Sequence, residues 1–152
     1  MIRKRSILGM SINPYAIYVH CDGSMEYNSK SSGGVGLHIR FPETIELQEM
    51  IKPIGRYEGA NIERLELEAI SQGIDLLMSL FDKEREKLNT ISKIIFITDR
   101  YGLCDKEKTN AYRIRDWRHN KWRNFENKPI KNSDLLEEID KGRKKLSQFA
   151  HC

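Results

Sequence analysis

Cysteine is scarce and scattered. The chain has three, Cys21, Cys104 and Cys152, an odd set with no CxxC pair and no ligand-like spacing. Such a set argues against a disulfide framework and for a reducing compartment, so a cytoplasmic protein is expected. Long apolar runs are missing too. The basic start Met1-Ile2-Arg3-Lys4-Arg5 leads into an apolar stretch broken by Gly9, Ser11 and Pro14. That is too short for a signal peptide and far too short for a membrane span, so no membrane partner is expected. Internal repeats and low-complexity linkers are also absent. What remains is 152 residues, 39% hydrophobic and 32% charged, the size and balance of one soluble folded domain.

Taken in order, residues 1–14 read as a basic arm that ends at Asn13-Pro14, a sequence that resists helix. Tyr15 to Cys21 is rich in β-branched and aromatic residues and predicts a strand, stopped by the turn signal Asp22-Gly23-Ser24. Asn, Ser, Lys and Gly fill positions 28–34 as a hairpin loop. Val35, Leu37, Ile39 and Phe41 then alternate with Gly36, His38 and Arg40, giving a half-buried antiparallel strand that Pro42 ends. Thr44 to Ile51 is the expected third strand, with Ile45 and Leu47 inward.

A long helix follows, from Asn61 to Phe81, with helical composition continuing through Asp82–Lys87 as a solvated, mixed-charge face. At about 100° per residue, Ile62, Ala69, Ile70, Gly73, Leu77 and Leu80 all fall within about 60° of Glu66. Glu68, Gln72, Asp75 and Ser79 fall on the far side. Glu66 therefore sits in the middle of the stripe that faces the core, where a lone carboxylate carries a desolvation cost of several kcal/mol. It needs a partner: an Arg, backbone amides, or a metal.

The nearly continuous apolar run Ile94-Ile95-Phe96-Ile97 ends in Thr98-Asp99 and suits a central strand covered on both faces. Strand, helix and strand make a βαβ unit, so the sheet should be mixed. Asp22 and Asp99 each end an apolar strand. If those strands lie side by side and parallel, both carboxylates emerge at the sheet edge where α/β proteins bind ligands, near Glu66. Three clustered carboxylates repel unless hard cations neutralise them, and oxygen-only ligands select Mg²⁺ or Mn²⁺.

A second informative stretch lies further on. Between 113 and 131 stand seven basic residues, Arg113, Arg115, Arg118, Lys121, Arg123, Lys128 and Lys131, against Asp116 and Glu126. That is +5, more than the +4 of the whole chain. Both tryptophans, Trp117 and Trp122, lie inside it. Interleaved basic and aromatic side chains suit a phosphate backbone with sugar or base stacking. A solvated helix with two packing tryptophans explains the composition equally well.

Several of these segments together resemble ribonuclease H of the type 1 fold, which cuts RNA in RNA–DNA hybrids. Tyr18-Val19-His20-Cys21-Asp22-Gly23-Ser24 looks like the family's first strand, and Gly33-Gly34-Val35-Gly36 like the glycine-rich opening of the second. Arg64-Leu65-Glu66-Leu67 resembles the Arg-x-Glu-Leu of the catalytic helix, and Ile97-Thr98-Asp99 the Thr-Asp of the fourth strand. Lys128-Pro129-Ile130-Lys131-Asn132 resembles the loop after the basic handle. The five stand in the family's order over about residues 15–140.

The resemblance implies an α/β fold: a mixed five-stranded-type sheet, three antiparallel strands followed by parallel strands, with flanking helices. It implies that 15–152 form one domain with a basic handle at about 105–131. It makes Asp22, Glu66 and Asp99 ligands of Mg²⁺ or Mn²⁺, with Asp22 bridging, and it requires no small-molecule cofactor besides the metal. The implied activity is two-metal endonucleolytic hydrolysis of the RNA strand of RNA–DNA hybrids. The alternative is a catalytically impaired ribonuclease H-like module that binds nucleic acid. Arg100 stands where the family commonly has Ser, and no carboxylate follows Asp140, so against the family pattern the expectation is a copy truncated before the strand and helix with the fourth acidic ligand, a variant with a three-carboxylate site, or a domain whose remaining piece comes from elsewhere. Asn132 or Ser133 can cap a last helix with Leu135, Ile139, Leu146 and Phe149 on its apolar side, although Leu146–His151 could instead begin the fifth strand.

Overall fold

A computed structural model of the chain describes residues 13–25, 32–58, 62–98 and 114–152. Its elements are β1 (Ala16–Met25), β2 (Ser32–Arg40), β3 (Met50–Glu58), α1 (Ile62–Lys83), β4 (Lys93–Ile97), α2 (Ile114–His119) and α3 (Ser133–Leu146). The four strands form one mixed sheet in the order β3-β2-β1-β4. β1 runs antiparallel to β2 from Tyr18 opposite Arg40 to Met25 opposite Gly33. β4 lies parallel to β1 on the other side, Ala16 opposite Lys93 and His20 opposite Ile97. This is the mixed α/β sheet that the βαβ pattern predicts.

Asn13-Pro14 sets the entry into β1. The Asn13 side-chain oxygen accepts the Tyr15 amide at 2.8 Å, and its carbonyl accepts the Ala16 amide at 3.2 Å. Such an Asx turn reverses the chain before a strand. From there Ile17, Val19 and Cys21 join Leu37 and Ile39 of β2 in the main core, with Ala69, Ile70, Ile74, Leu77 and Phe81 of α1. Gly73 permits the close crossing of helix over sheet. A Cβ there would stand 3.2 Å from Phe96, 3.3 Å from Leu37 and 3.3 Å from Val19. The opposite face of the sheet carries Ala16 and Tyr18, with Ile95 and Ile97 packed against them. Pairing also aligns Ile97, His20, His38 and Ile51 in one row across the four strands.

α3 lies against α1, with Leu135, Leu136, Ile139 and Leu146 buried, and Phe149 beyond it stacks on Phe81, ring centroids 5.0 Å apart. His151 then forms a one-residue parallel bridge with Lys93. Its carbonyl accepts the Ile94 amide at 2.8 Å, and its own amide donates to Ser92 O at 3.0 Å. The tail thus starts to pair on β4's outer edge, where a fifth strand was the expectation. Among the described residues no helix is long and apolar enough to cross a membrane.

Several boundaries differ from the sequence reading. Asp22-Gly23-Ser24 does not stop β1; these residues pair with Gly36, Val35 and Gly34, and the turn signal yields to cross-strand pairing. Ser32–Gly34 likewise belongs to β2 and not to the hairpin loop, whereas positions 26–31 lie outside the described residues. The third strand is Met50–Glu58, not Thr44–Ile51. Pro53 and Gly55 disguise it in sequence, and both suit an edge strand with an irregular register, here at Val35/Gly36. Thr44–Leu47 is a turn in which Ile45 N bonds Pro42 O at 3.0 Å, although Ile45 is buried as expected. α1 ends at Lys83 and the chain turns through 84–90, fastened by buried Leu88. β4 is an edge strand of this sheet and not a central one, and its residues 95–97 are only half-buried, because one face of it borders the smaller cluster instead of the main core.

Candidate active site and nucleic-acid interface

Helix α1 offers Glu66 between two buried leucines, Leu65 and Leu67. The buried residues from Leu65 to Phe81 wrap symmetrically around the direction of Glu66, as the wheel predicts, yet Glu66 itself is half-buried. Its stripe faces the core, but the first turns of the helix reach the margin of the packing. The full desolvation penalty anticipated for a core carboxylate therefore does not apply. Glu63 and Glu68 are half-buried as well.

Asp22 lies on β1 with its backbone opposite Gly36. Asp99 lies outside the described residues, two positions beyond Ile97, which β4 sets opposite His20. Among the described residues no group of three His, Cys, Asp or Glu side chains stands close enough to hold a metal ion. The candidate ligands are thus one half-buried glutamate, one strand position and one residue beyond the described part.

Two ties fasten the start of α1 to the segment after the handle. Arg64 donates to both carboxylate oxygens of Asp134, at 3.2 Å and 2.7 Å, and to the side-chain oxygen of Asn132 at 3.2 Å. The fork geometry of a guanidinium on a carboxylate fixes direction as well as distance. The hydrogen bond from Arg64 lowers the Asp134 pKa and raises that of Arg64. One residue earlier on the helix, Glu63 pairs with Lys131 at 3.3 Å. Asn132 precedes α3 at φ 60° without capping it through its side chain; that side chain serves Arg64 instead.

The handle folds as a short helix and a tight hairpin. After α2 the chain reverses through Lys121 and Trp122, both in the left-handed region at φ 56° and 61°. Trp122 N donates to Trp117 O at 2.7 Å, and Lys121 N to Arg118 O at 3.1 Å, a helix ending of the kind usually built on glycine. Arg123 and Pro129 bridge the hairpin. At its tip the Asn124 side-chain oxygen accepts the amides of Glu126 and Lys128, both at 3.0 Å, and Arg123 Nη1 holds Asn127 O at 2.8 Å.

The predicted nucleic-acid contacts divide accordingly. Trp117 and Trp122 are both half-buried against the core, so each packs and neither stands fully in solvent. Arg118 pairs with Asp140 at 3.2 Å, and that carboxylate, with only 8% of its side chain exposed, also meets Lys144 at 3.6 Å. Arg118 therefore fastens the handle to α3. Lys131 is tied to Glu63 as described, and Lys128 to Glu126 at 3.5 Å across an exposed surface. Lys121 and Arg123 are exposed. Arg115 lies on α2, and Arg113 lies outside the described residues.

Sequence reasoning passed over one feature here. Asp116, Trp117, Asn120, Arg123, Asn124, Phe125, Asn127 and Ile130 line an open groove of about 610 Å³. Phe125, at its rim, is completely exposed. The signal was available: a lone aromatic among basic residues, beside two asparagines spaced to build a turn.

Titration marks the sheet instead. Burial, then the neighbouring His38 and Arg40, lower the His20 pKa. His20 stacks on His38 with ring centroids 5.6 Å apart, and His38 in turn bonds the Glu49 carboxylate. Burial pushes the Cys21 thiol up to about 12 and that of Cys152 to about 11. Both are free thiols kept in their unreactive protonated form.

Comparison with known proteins bears on the whole of this arrangement. No curated protein matches the chain. Among solved structures, it is similar to the foamy viral protease-reverse transcriptase in complex with dsDNA, at 19% identity and TM-score 0.59, over 90% of this chain and 78% of that one. It is also similar to the same viral enzyme in complex with RNA/DNA hybrid, at 21% identity and TM-score 0.54, over 93% of this chain but 18% of that one. The solution structure of the PFV RNase H domain matches at 17% identity and TM-score 0.55, over 89% of this chain and 74% of that domain. These likenesses establish the fold. The RNase H family model matches residues 14–152, nearly the whole chain, and on that ground the chain belongs to the ribonuclease H family.

Proposed function

We propose that the chain hydrolyses the RNA strand of RNA–DNA hybrids endonucleolytically, using Asp22, Glu66 and Asp99 as ligands for Mg²⁺ or Mn²⁺. The observation that supports this most is the parallel pairing of β1 with β4, His20 opposite Ile97. The same two-residue step in sequence leads from His20 to Asp22 and from Ile97 to Asp99. Glu66 comes from the helix that packs on β1. Three carboxylates offer only hard oxygen donors, which fits these cations and no softer metal. Bound there, a pair of such ions supplies an activated water and stabilisation of the leaving 3′-oxygen.

The chain's own side chains do the rest. Lys121, Arg123 and Lys128 are exposed on the handle and meet a phosphate backbone. The Arg64 and Lys131 ties fix the handle's exit to the helix that carries Glu66, so a strand held by the handle keeps a constant distance from the cutting site. Contacts to 2′-hydroxyls distinguish the RNA strand. The relative solved in complex with RNA/DNA hybrid supports the same substrate class.

The test is cleavage of an end-labelled RNA–DNA hybrid with Mg²⁺ or Mn²⁺, against Asp22→Asn and Glu66→Gln. Metal-dependent cutting, lost in either variant while hybrid binding survives, is the expected result. A folded wild type that binds hybrid and never cuts it refutes the enzyme and leaves a nucleic-acid-binding module of the same fold.

A further inference from the structure

The groove on the handle is absorbed by neither the metal site nor the phosphate contacts. Phe125 stands at its rim with 102% of its reference surface exposed. A single exposed aromatic means little by itself, but this one is held. The Asn124 oxygen takes the amides of Glu126 and Lys128, Asn127 N returns to Asn124 O at 2.9 Å, and Asn127 sits at φ 61°. The ring is carried by a closed turn with few conformations to lose on binding. Trp117 and Ile130 supply further apolar wall, and Asn120, Asn124 and Asn127 supply amide edges. Because the Asn124 oxygen is engaged by the turn, its offering to a ligand is the NH₂ donor. Arg123 lines the groove as well, and Lys121 and Lys128 of the same hairpin are exposed.

A fully exposed aromatic on a closed backbone turn, beside amides and Arg123, has the chemistry of a stacking platform for a nucleobase. Bases inside a duplex already stack on both faces and offer the ring none, whereas an unpaired base offers both. We infer that Phe125 and its groove bind an unpaired base of a single strand that continues from the hybrid, so that the chain prefers hybrid–single-strand junctions to blunt hybrids. The inference rests on the hybrid-binding reading above.

The experiment measures binding of the full chain, without divalent metal, to a blunt hybrid and to the same hybrid with a single-stranded extension carrying 2-aminopurine. The wild type should bind the extended hybrid more tightly and quench the 2-aminopurine. Phe125→Ala should lose roughly tenfold on the extended hybrid and abolish the quench, with little change on the blunt one, and Phe125→Tyr should restore both. Equal binding of the extended hybrid by wild type and Phe125→Ala overturns the inference while leaving hybrid recognition intact. So does an equal loss on both hybrids. If Phe125→Ala instead removes only self-association, seen by sedimentation, the ring is a protein contact and the inference fails. Absence of any salt-dependent binding by the wild type removes the hybrid reading and this inference together.

Discussion

Arg118 and Lys121 are three residues apart in one basic segment, yet the structure gives them different work. Arg118 Nε lies 3.2 Å from Asp140 Oδ2, and 8% of the Asp140 side chain is exposed. Truncation to Ala removes an ion-pair partner of a largely buried carboxylate, at a cost of about 1–3 kcal/mol. It leaves Asp140 only Lys144 at 3.6 Å. Arg118 is itself 40% exposed, so solvent screens part of that interaction, and a loss of about 1–2 kcal/mol is the expectation. For a chain of this size that lowers the melting temperature by about 2–8 °C. Since the guanidinium is already engaged, Arg118→Ala should hardly change the slope of log affinity for a hybrid against log salt concentration. Lys121→Ala is expected to do the reverse: no change in melting, and a slope shallower by about one unit, as for one lost phosphate contact. Thermal unfolding and hybrid titrations over about 50–200 mM salt measure both. An Arg118→Ala protein that melts like wild type and loses a unit of slope refutes the assignment.

Three further outcomes follow from the packing and the titrations. Gly142→Ala on α3 gains about 1 kcal/mol of helix propensity, but its Cβ would lie 2.6 Å from Ile74 Cγ2. Overpacking of about 1–3 kcal/mol outweighs the gain, so the melting temperature should fall by a few degrees; a rise contradicts the α1–α3 contact. His20 has a folded pKa below its ordinary 6.5, so between the two values the unfolded chain binds more protons. Its contribution is complete above about 6.5 and is lost as pH falls towards the folded value. In acid titrations followed by denaturant, a His20→Gln variant should therefore show a weaker dependence as pH falls below about 6.5. Cys21 has the opposite sign: with its folded pKa raised to about 12, its contribution is present below the unfolded value near 9 and disappears as pH rises from there to about 12. At neutral pH, Cys21 should resist iodoacetamide until the chain is unfolded, as peptide mass mapping can show.

The sequence was most legible where periodicity and burial coincide. Ala69, Ile70, Gly73 and Leu77 recur at helical spacing and are buried, and Leu37 and Ile39 alternate and are buried. It was misleading where a local preference is overruled from across the sheet. Asp22-Gly23-Ser24 has every mark of a turn, but three partners on β2 hold it extended. Pro53 and Gly55 read as breakers, yet an edge strand asks little of their amides. The wheel centres the buried stripe of α1 on the direction of Glu66, but Glu66 is only half-buried, and no wheel carries the degree of burial.

The charged residues separate along the same line. Counting cations from 113 to 131 identifies a basic segment, but a count cannot tell a cation that meets phosphate from one that fastens the handle. Arg64 makes the point within the motif itself. It lies some 160° around the helix from Glu66 by the same ~100° step, too far to join it at a metal, although only Leu65 separates them in sequence. Its place is explained by Asn132 and Asp134, which stand 68 and 70 positions away and end the handle. The Arg-x-Glu pattern therefore places Arg64 where it ties the segment after the handle to the helix that bears Glu66. Asp134, in the first turn of α3, is the other half of that joint.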